Sequence, residues 1–271
     1  MRWLNSVQHR LARANDEWFG PRDFEAARWV GAPVISIVCD DGCISDLLKV
    51  VPVLEAHRVP GVFAPVADWV GTSGHLSTAD LRALARAGHE IASHMDQHAP
   101  LHRRPAHTWV AAFHASREAL ADACGSDVKT LVFPHGHNSL AVRQAAMRHY
   151  DCAVTTWRGV NRGIFNRFAI RRMPFGSYLQ PADRNPLAYR FALEDLMAHP
   201  GWLVWMLHSA NPAHDHTQTA RLHEMLSMAA GLGIKVLTVS DTWRHQRSAR
   251  RAADRREGIA QAPQQMEELI P

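Results

Sequence analysis

From about residue 33 onward, short apolar runs alternate with helical stretches, and that alternation restricts the fold more than any other feature of the chain. Val34–Cys39 reads as a buried strand. The spacing then predicts a helix over 44–57, with apolar residues at 44, 47, 48, 51 and 54. Strands are predicted over 59–66, 90–93, 130–133, 152–156, 202–207 and 235–239. Helices are predicted over 78–87, 108–124, 140–149, 187–198 and 217–230. Thr78 is the expected N-cap of its helix and Gly88 its terminator. About seven β-α units in one stretch suit a parallel sheet closed, or nearly closed, into a single TIM-like α/β barrel better than two domains.

The flanks read differently. Residues 1–30 form an N-terminal helical extension, with Trp3, Leu4, Val7, Leu11, Ala14 and Trp18 at helical spacing. That helix either packs on the main domain or lies against a membrane surface. Residues 31–243 hold the barrel domain. Residues 244–271 form an Arg, Ala and Gln-rich tail, either a charged surface helix or a disordered segment.

Composition excludes several classes. Thirty Lys and Arg against 26 Asp and Glu give a formal charge of +4, too slight a bias to indicate nucleic acid. No apolar run reaches the length of a membrane span. The first residues show no secretory signal pattern, so the expected location is the cytoplasm, with membrane association through the N-terminal helix as the variant reading. The four cysteines form no C-x-x-C pair and read as reduced thiols.

The strand V-I-S-I-V-C-D-D-G opens the chemistry. Its end carries Asp40 and Asp41, two carboxylates that are costly at the mouth of a buried strand unless something uses them. Other predicted strands also end in polar clusters: S-H-M-D-Q-H at 93–98, F-P-H-G-H-N at 133–138 and H-S at 208–209. In a parallel barrel that rim is where sites are built. His94 and His98, four apart, suit a shared metal on one helical turn. With one carboxylate they make a two-His, one-Asp set with open positions. The other carboxylate then stays free as a base, and His208 becomes a candidate general acid if a neighbouring carboxylate keeps it charged. A D-D pair after a strand also occurs in magnesium sites for phosphoryl transfer, but such sites do not call for paired histidine ligands.

These segments together resemble the polysaccharide deacetylase family, the NodB-homology carbohydrate esterases. V-C-D-D-G at 38–42, H-M-D-Q-H at 94–98, L-V-F-P-H-G at 131–136, F-A-I-R-R-M-P at 168–174 and M-L-H-S at 206–209 stand in the family's order. The resemblance implies a distorted (β/α)7 barrel and one divalent metal, zinc first, with cobalt, nickel, manganese and iron(II) as alternatives. It assigns Asp41, His94 and His98 as metal ligands, Asp40 as general base and His208 as general acid. It also assigns the His135 backbone N–H to the oxyanion, and Pro134 and His137 on either side of it are candidate substrate contacts. Arg172 is expected either to orient Asp40 or to bind substrate.

Two departures stand out. Cys39 replaces the family's usual aromatic residue and is either inert packing or an oxidation-sensitive thiol beside the metal. His135 replaces the third motif's aromatic, with His137 close behind at either the surface or the cleft. Asp96 is expected to support the ligands or to sit in solvent.

The implied activity is removal of an N-acetyl or similar acyl group from an amino sugar. The expected substrates are an acylated amino sugar, a nucleotide sugar or a lipid-linked glycan, in surface-glycan or glycolipid synthesis. Deformylation, O-acetyl ester hydrolysis and a catalytically weak carbohydrate-binding relative are the alternatives. The sequence leaves oligomeric state open.

Overall fold

A computed structural model describes residues 25–101, 104–176 and 184–249. The predicted N-terminal helix and the tail beyond 249 lie outside the described residues. The barrel strands in chain order are β2 (Val34–Asp41), β3 (Val62–Pro65), β4 (Glu90–Ile91), β5 (Thr130–Val132), β6 (Cys152–Arg158), β8 (Ile170–Pro174), β9 (Trp202–Leu207) and β10 (Lys235–Val236). Two further strands, β1 (Ala26–Arg28) and β7 (Ile164–Asn166), form a separate antiparallel ribbon. The intervening helices are α1 (Ser45–Lys49), α2 (Val51–His57), α3 (Thr78–Arg86), α4 (Trp109–Cys124), α5 (Leu140–Ala146), α6 (Pro186–Ala198) and α7 (His216–Gly231), and α8 covers 239–249.

Seven strands run β4-β3-β2-β9-β8-β6-β5, all parallel to their neighbours. A parallel bridge between Ser93 and Leu131 joins the two ends, with Ser93 donating to the Thr130 carbonyl at 2.9 Å. The ring therefore closes, as the (β/α)7 expectation requires. The short β10 pairs with the first residues of β2.

The period-two alternation of β2 sorts its side chains between two cores. Val34 and Val38 join a cluster with Val62, Ala64, Val132, Val154, Ile170 and Val204, strand residues that fill the barrel. Ile35, Ile37 and Cys39 join the layer between strands and helices, with Val50, Leu54 and Phe63. Asp40 is in phase with the barrel residues and Cys39 with the helix layer. Of the two readings of Cys39, this geometry supports inert packing: it is fully buried among apolar side chains facing the helices.

Several local expectations shift for identifiable reasons. The helix expected over 44–57 is two helices, because Pro52 has no N–H to donate and the second helix starts afresh at Val51. Ser77, not Thr78, caps α3: its Oγ accepts from the Asp80 N–H and Asp80 accepts from the Ser77 N–H, a capping box. The last strand stops at Val236 because Thr238 Oγ1 accepts from the Asp241 N–H and opens α8 instead. Residues 26–28, expected in the helical extension, are strand β1.

Candidate active site

Asp40 and Asp41 part company at the end of β2. Asp41 has φ 76° and Gly42 φ 69°, so the chain turns left-handed at once after Asp40. Glycine is required at 42, since a Cβ there would sit 2.5 Å from Pro65 Cβ. The turn sends the Asp41 carboxylate to His94 and His98, with Oδ1 3.5 Å from the Nε2 of each.

The two histidines reach that point differently from the sequence expectation. Residues 94–98 are not a helical turn but a bend, with Met95 at φ 70° and its N–H held by Ser93 Oγ at 3.1 Å. His94 Nδ1 lies 2.7 Å from the Val132 carbonyl. A carbonyl only accepts, so Nδ1 carries the proton and the Nε2 lone pair faces Asp41. Burial pushes His94 down to about 4, with Asp40 and Asp41 opposing that shift, so the ring is neutral, as a ligand must be. The His98 ring is flanked by Trp69, with centroids 5.6 Å apart, and by His135 at 4.4 Å.

These donor atoms fit a metal. All three lie within 4.8 Å of one another. Asp41 Oδ1 is buried and accepts no hydrogen bond, and its 3.5 Å gaps to the imidazole nitrogens are too long for one. Two ligands each about 2.1 Å from a tetrahedral ion stand about 3.4 Å apart, so the separations match a shared divalent cation.

Asp40 faces the other way. Arg172, from β8, donates from Nη1 to Oδ1 at 2.7 Å, and its Nε donates to the Thr155 carbonyl at 2.8 Å. Of the two roles open to Arg172, this geometry selects orientation of Asp40. His208 follows β9, with Nε2 3.7 Å from Asp40 Oδ2. The carboxylate expected beside His208 is therefore Asp40 itself. Burial raises the Asp40 carboxyl, but Arg172, His94 and His208 outweigh it and leave it below the ordinary range.

The third cluster forms a tight turn over Pro134–Gly136. His135 sits at φ 57°, Gly136 at φ 66°, and a Cβ on Gly136 would lie 2.0 Å from Thr156 Oγ1. The His135 ring is exposed and next to His98, while His137 is half-buried with its ring 6.0 Å from His135. Pro134, in the same turn, is buried. Asp96 pairs with Arg104 at 2.8 Å rather than with either histidine.

Behind His208, Ser209 Oγ donates to Asp46 Oδ1 at 2.5 Å and contacts Ser45 Oγ at 2.6 Å. Lys49 Nζ donates to the Ser209 carbonyl at 2.8 Å. The sequence marks Ser209 and Val132 only as members of quoted motifs, with no role for either, and does not point to Ser45, Asp46, Lys49 or Trp69. Each acts through a long-range contact that no local spacing signals.

Residues 28–150 match the family model described as polysaccharide deacetylase. The matched segment belongs to the polysaccharide deacetylase family. Polysaccharide deacetylases of this family are hydrolases. Solved structures share the fold at low identity. A family 4 acetyl xylan esterase from Clostridium thermocellum, in complex with a cobalt ion, aligns with TM-score 0.58 and 15% identity over 78% of this chain and 90% of its own. A variant of the peptidoglycan deacetylase PdaC from Bacillus subtilis aligns with TM-score 0.59 and 15% identity over 84% and 98%. A xylanase's esterase domain from the hindgut metagenome of Trinervitermes trinervoides aligns with TM-score 0.57 and 16% identity over 80% and 92%. No curated protein sequence matches the chain.

Proposed function

We propose that this chain is a metal-dependent hydrolase that removes an N-acetyl or similar acyl group from an amino sugar. The carrying observation is the division of two adjacent carboxylates. Asp41 meets His94 and His98, whereas Asp40 is held by Arg172 and faces His208.

Asp41, His94 and His98 would hold one divalent ion, zinc first by donor set. Such an ion, when bound, lowers the pKa of a water and polarises the acyl carbonyl. Asp40, fixed through Oδ1 by Arg172, uses Oδ2 to take the proton of the attacking water. His208 Nε2 delivers a proton to the departing amine, so water and amide become acid and amine with all atoms balanced. The His135 N–H, carried on a left-handed turn, donates to the oxygen that gains charge during attack.

The rings of Trp69, His98, His135 and His137 border this centre and support a sugar as the group presented to it. Among sugars we favour small, nucleotide-linked or lipid-linked acylated amino sugars, consistent with the amphipathic pattern over residues 3–18.

The test is acetate and formate release from a panel of acylated sugars by metal-loaded protein. Asp40→Asn is expected to keep its metal and lose turnover. Normal turnover by that variant would overturn the base assignment, and release of formate or of ester-bound acetate alone would change the acyl class.

A further inference from the structure

A line of buried polar groups connects the strand next to residue 25 with the heart of the candidate site. Glu25, Arg143, Asn138, Thr155, Arg172 and Asp40 are all at most 3% exposed. Glu25 accepts a two-pronged contact from Arg143, from Nε to Oε1 and from Nη2 to Oε2, the latter at 3.1 Å. The third nitrogen of the same guanidinium, Nη1, donates to Asn138 Oδ1 at 3.0 Å. Asn138 Nδ2 then donates to the Gly136 carbonyl at 3.1 Å and to Thr155 Oγ1 at 3.2 Å. Thr155 Oγ1 donates in turn to the same Gly136 carbonyl at 3.0 Å. The Thr155 carbonyl accepts from Arg172, which holds Asp40.

Each link has a physical reason to matter. His135 and Gly136 both occupy left-handed backbone, a costly conformation for histidine that persists only when its surroundings impose it. Two donors on the Gly136 carbonyl supply that constraint. Asn138 has four hydrogen-bonding positions on one planar amide, and its orientation is fixed only if Oδ1 meets a donor. Arg143 is that donor, and a fully buried guanidinium needs a carboxylate to offset its desolvation. Glu25 is the carboxylate, 118 residues away in sequence.

We infer that Glu25 is a positioning residue for the candidate site, setting the His135–Gly136 turn through Arg143 and Asn138. The inference rests on the proposed hydrolase reading for its effect on turnover, but the effect on the turn stands apart from it. Glu25→Gln retains an amide that fills the same space, while weakening the charged fork on Arg143. Glu25→Ala removes it altogether.

Hydrogen exchange over residues 133–139, measured in the full chain, tests the turn directly. Glu25→Gln and Asn138→Ala are each expected to speed that exchange while α4, α6 and α7 exchange as in the parent. On a substrate the parent hydrolyses, both are expected to lower kcat on the order of 10- to 100-fold with KM little changed. The double variant should fall no further than the worse single one, because both break one line. Unchanged exchange over 133–139 in Glu25→Gln would overturn the inference whatever the activity. Uniformly faster exchange across the barrel, with kcat intact, would also overturn it, as the mark of a structural ion pair. A parent chain without hydrolase activity would sink the functional reading and leave the exchange result to decide the role of Glu25.

Discussion

Arg172 and Asp40, 132 residues apart, meet at 2.7 Å with both side chains almost wholly shielded from water. The pair closes one side of the candidate site and leaves only Asp40 Oδ2 toward His208.

Breaking that pair should do more harm than removing an exposed salt bridge. Arg172→Met leaves a carboxylate buried without a counter-charge, at a cost of about 3–5 kcal/mol. Denaturant unfolding of the variant measures this directly. Arg172→Lys keeps the charge but not the second arm to the Thr155 carbonyl, and should fall between the two.

Metal retention should follow the three donors. Elemental analysis of the purified protein is expected to find about one divalent ion per chain, and His94→Ala or His98→Ala should lose most of it. Free metal at about 100 times its dissociation constant should stabilise the parent by about 2.7 kcal/mol and the double histidine variant by almost nothing. Equal stabilisation of both proteins would remove the site.

Asp46 gives the chain a stability that depends on pH. Burial pushes its carboxyl up to about 7, although the hydrogen bond from Ser209 opposes the rise. The folded form thus holds this proton more tightly than the unfolded chain, where the group titrates near about 3.9. The stabilising contribution is full below that lower value, shrinks as pH rises, and is gone above the folded value. Metal-stripped Asp46→Asn should show a flatter stability profile between about pH 4 and 7 than the parent. Parallel profiles would contradict the buried-carboxylate account.

Cysteine reactivity should be low in the folded protein. Burial lifts the Cys39 thiol well above its ordinary value and pushes Cys43 up to about 12. A thiol reagent at mildly alkaline pH is expected to leave Cys39 unmodified until denaturant is added, when all four cysteines react. Rapid loss of activity on labelling Cys39 would restore the oxidation-sensitive reading.

Gly136→Ala should be harsher than a typical glycine replacement. The new methyl would enter the space of Thr156 Oγ1, and the left-handed backbone adds strain. We expect a loss of at least about 2 kcal/mol in stability, together with loss of turnover. Calorimetry and the acetate assay report the two separately.

Much of the molecule is readable from its pattern of residues. The alternation of strands and helices, the span of β9 and the placing of Asp40, Asp41, His94, His98 and His208 near strand ends follow from periodicities of two and 3.6, which are local properties of a chain. What the pattern leaves open is direction and partnership. The sequence places two aspartates side by side, but only the left-handed turn at Asp41 separates their roles. It marks Cys39 as unusual, but only the phase of β2 within a closed barrel turns that thiol to the helix layer. It gives no sign that Glu25 reaches Arg143, or that Asp46 reaches Ser209, because those contacts span 118 and 163 residues. Such contacts come into being only when the ring of strands closes and burial forces each charged group to find a partner, and the tertiary structure alone decides which partner that is.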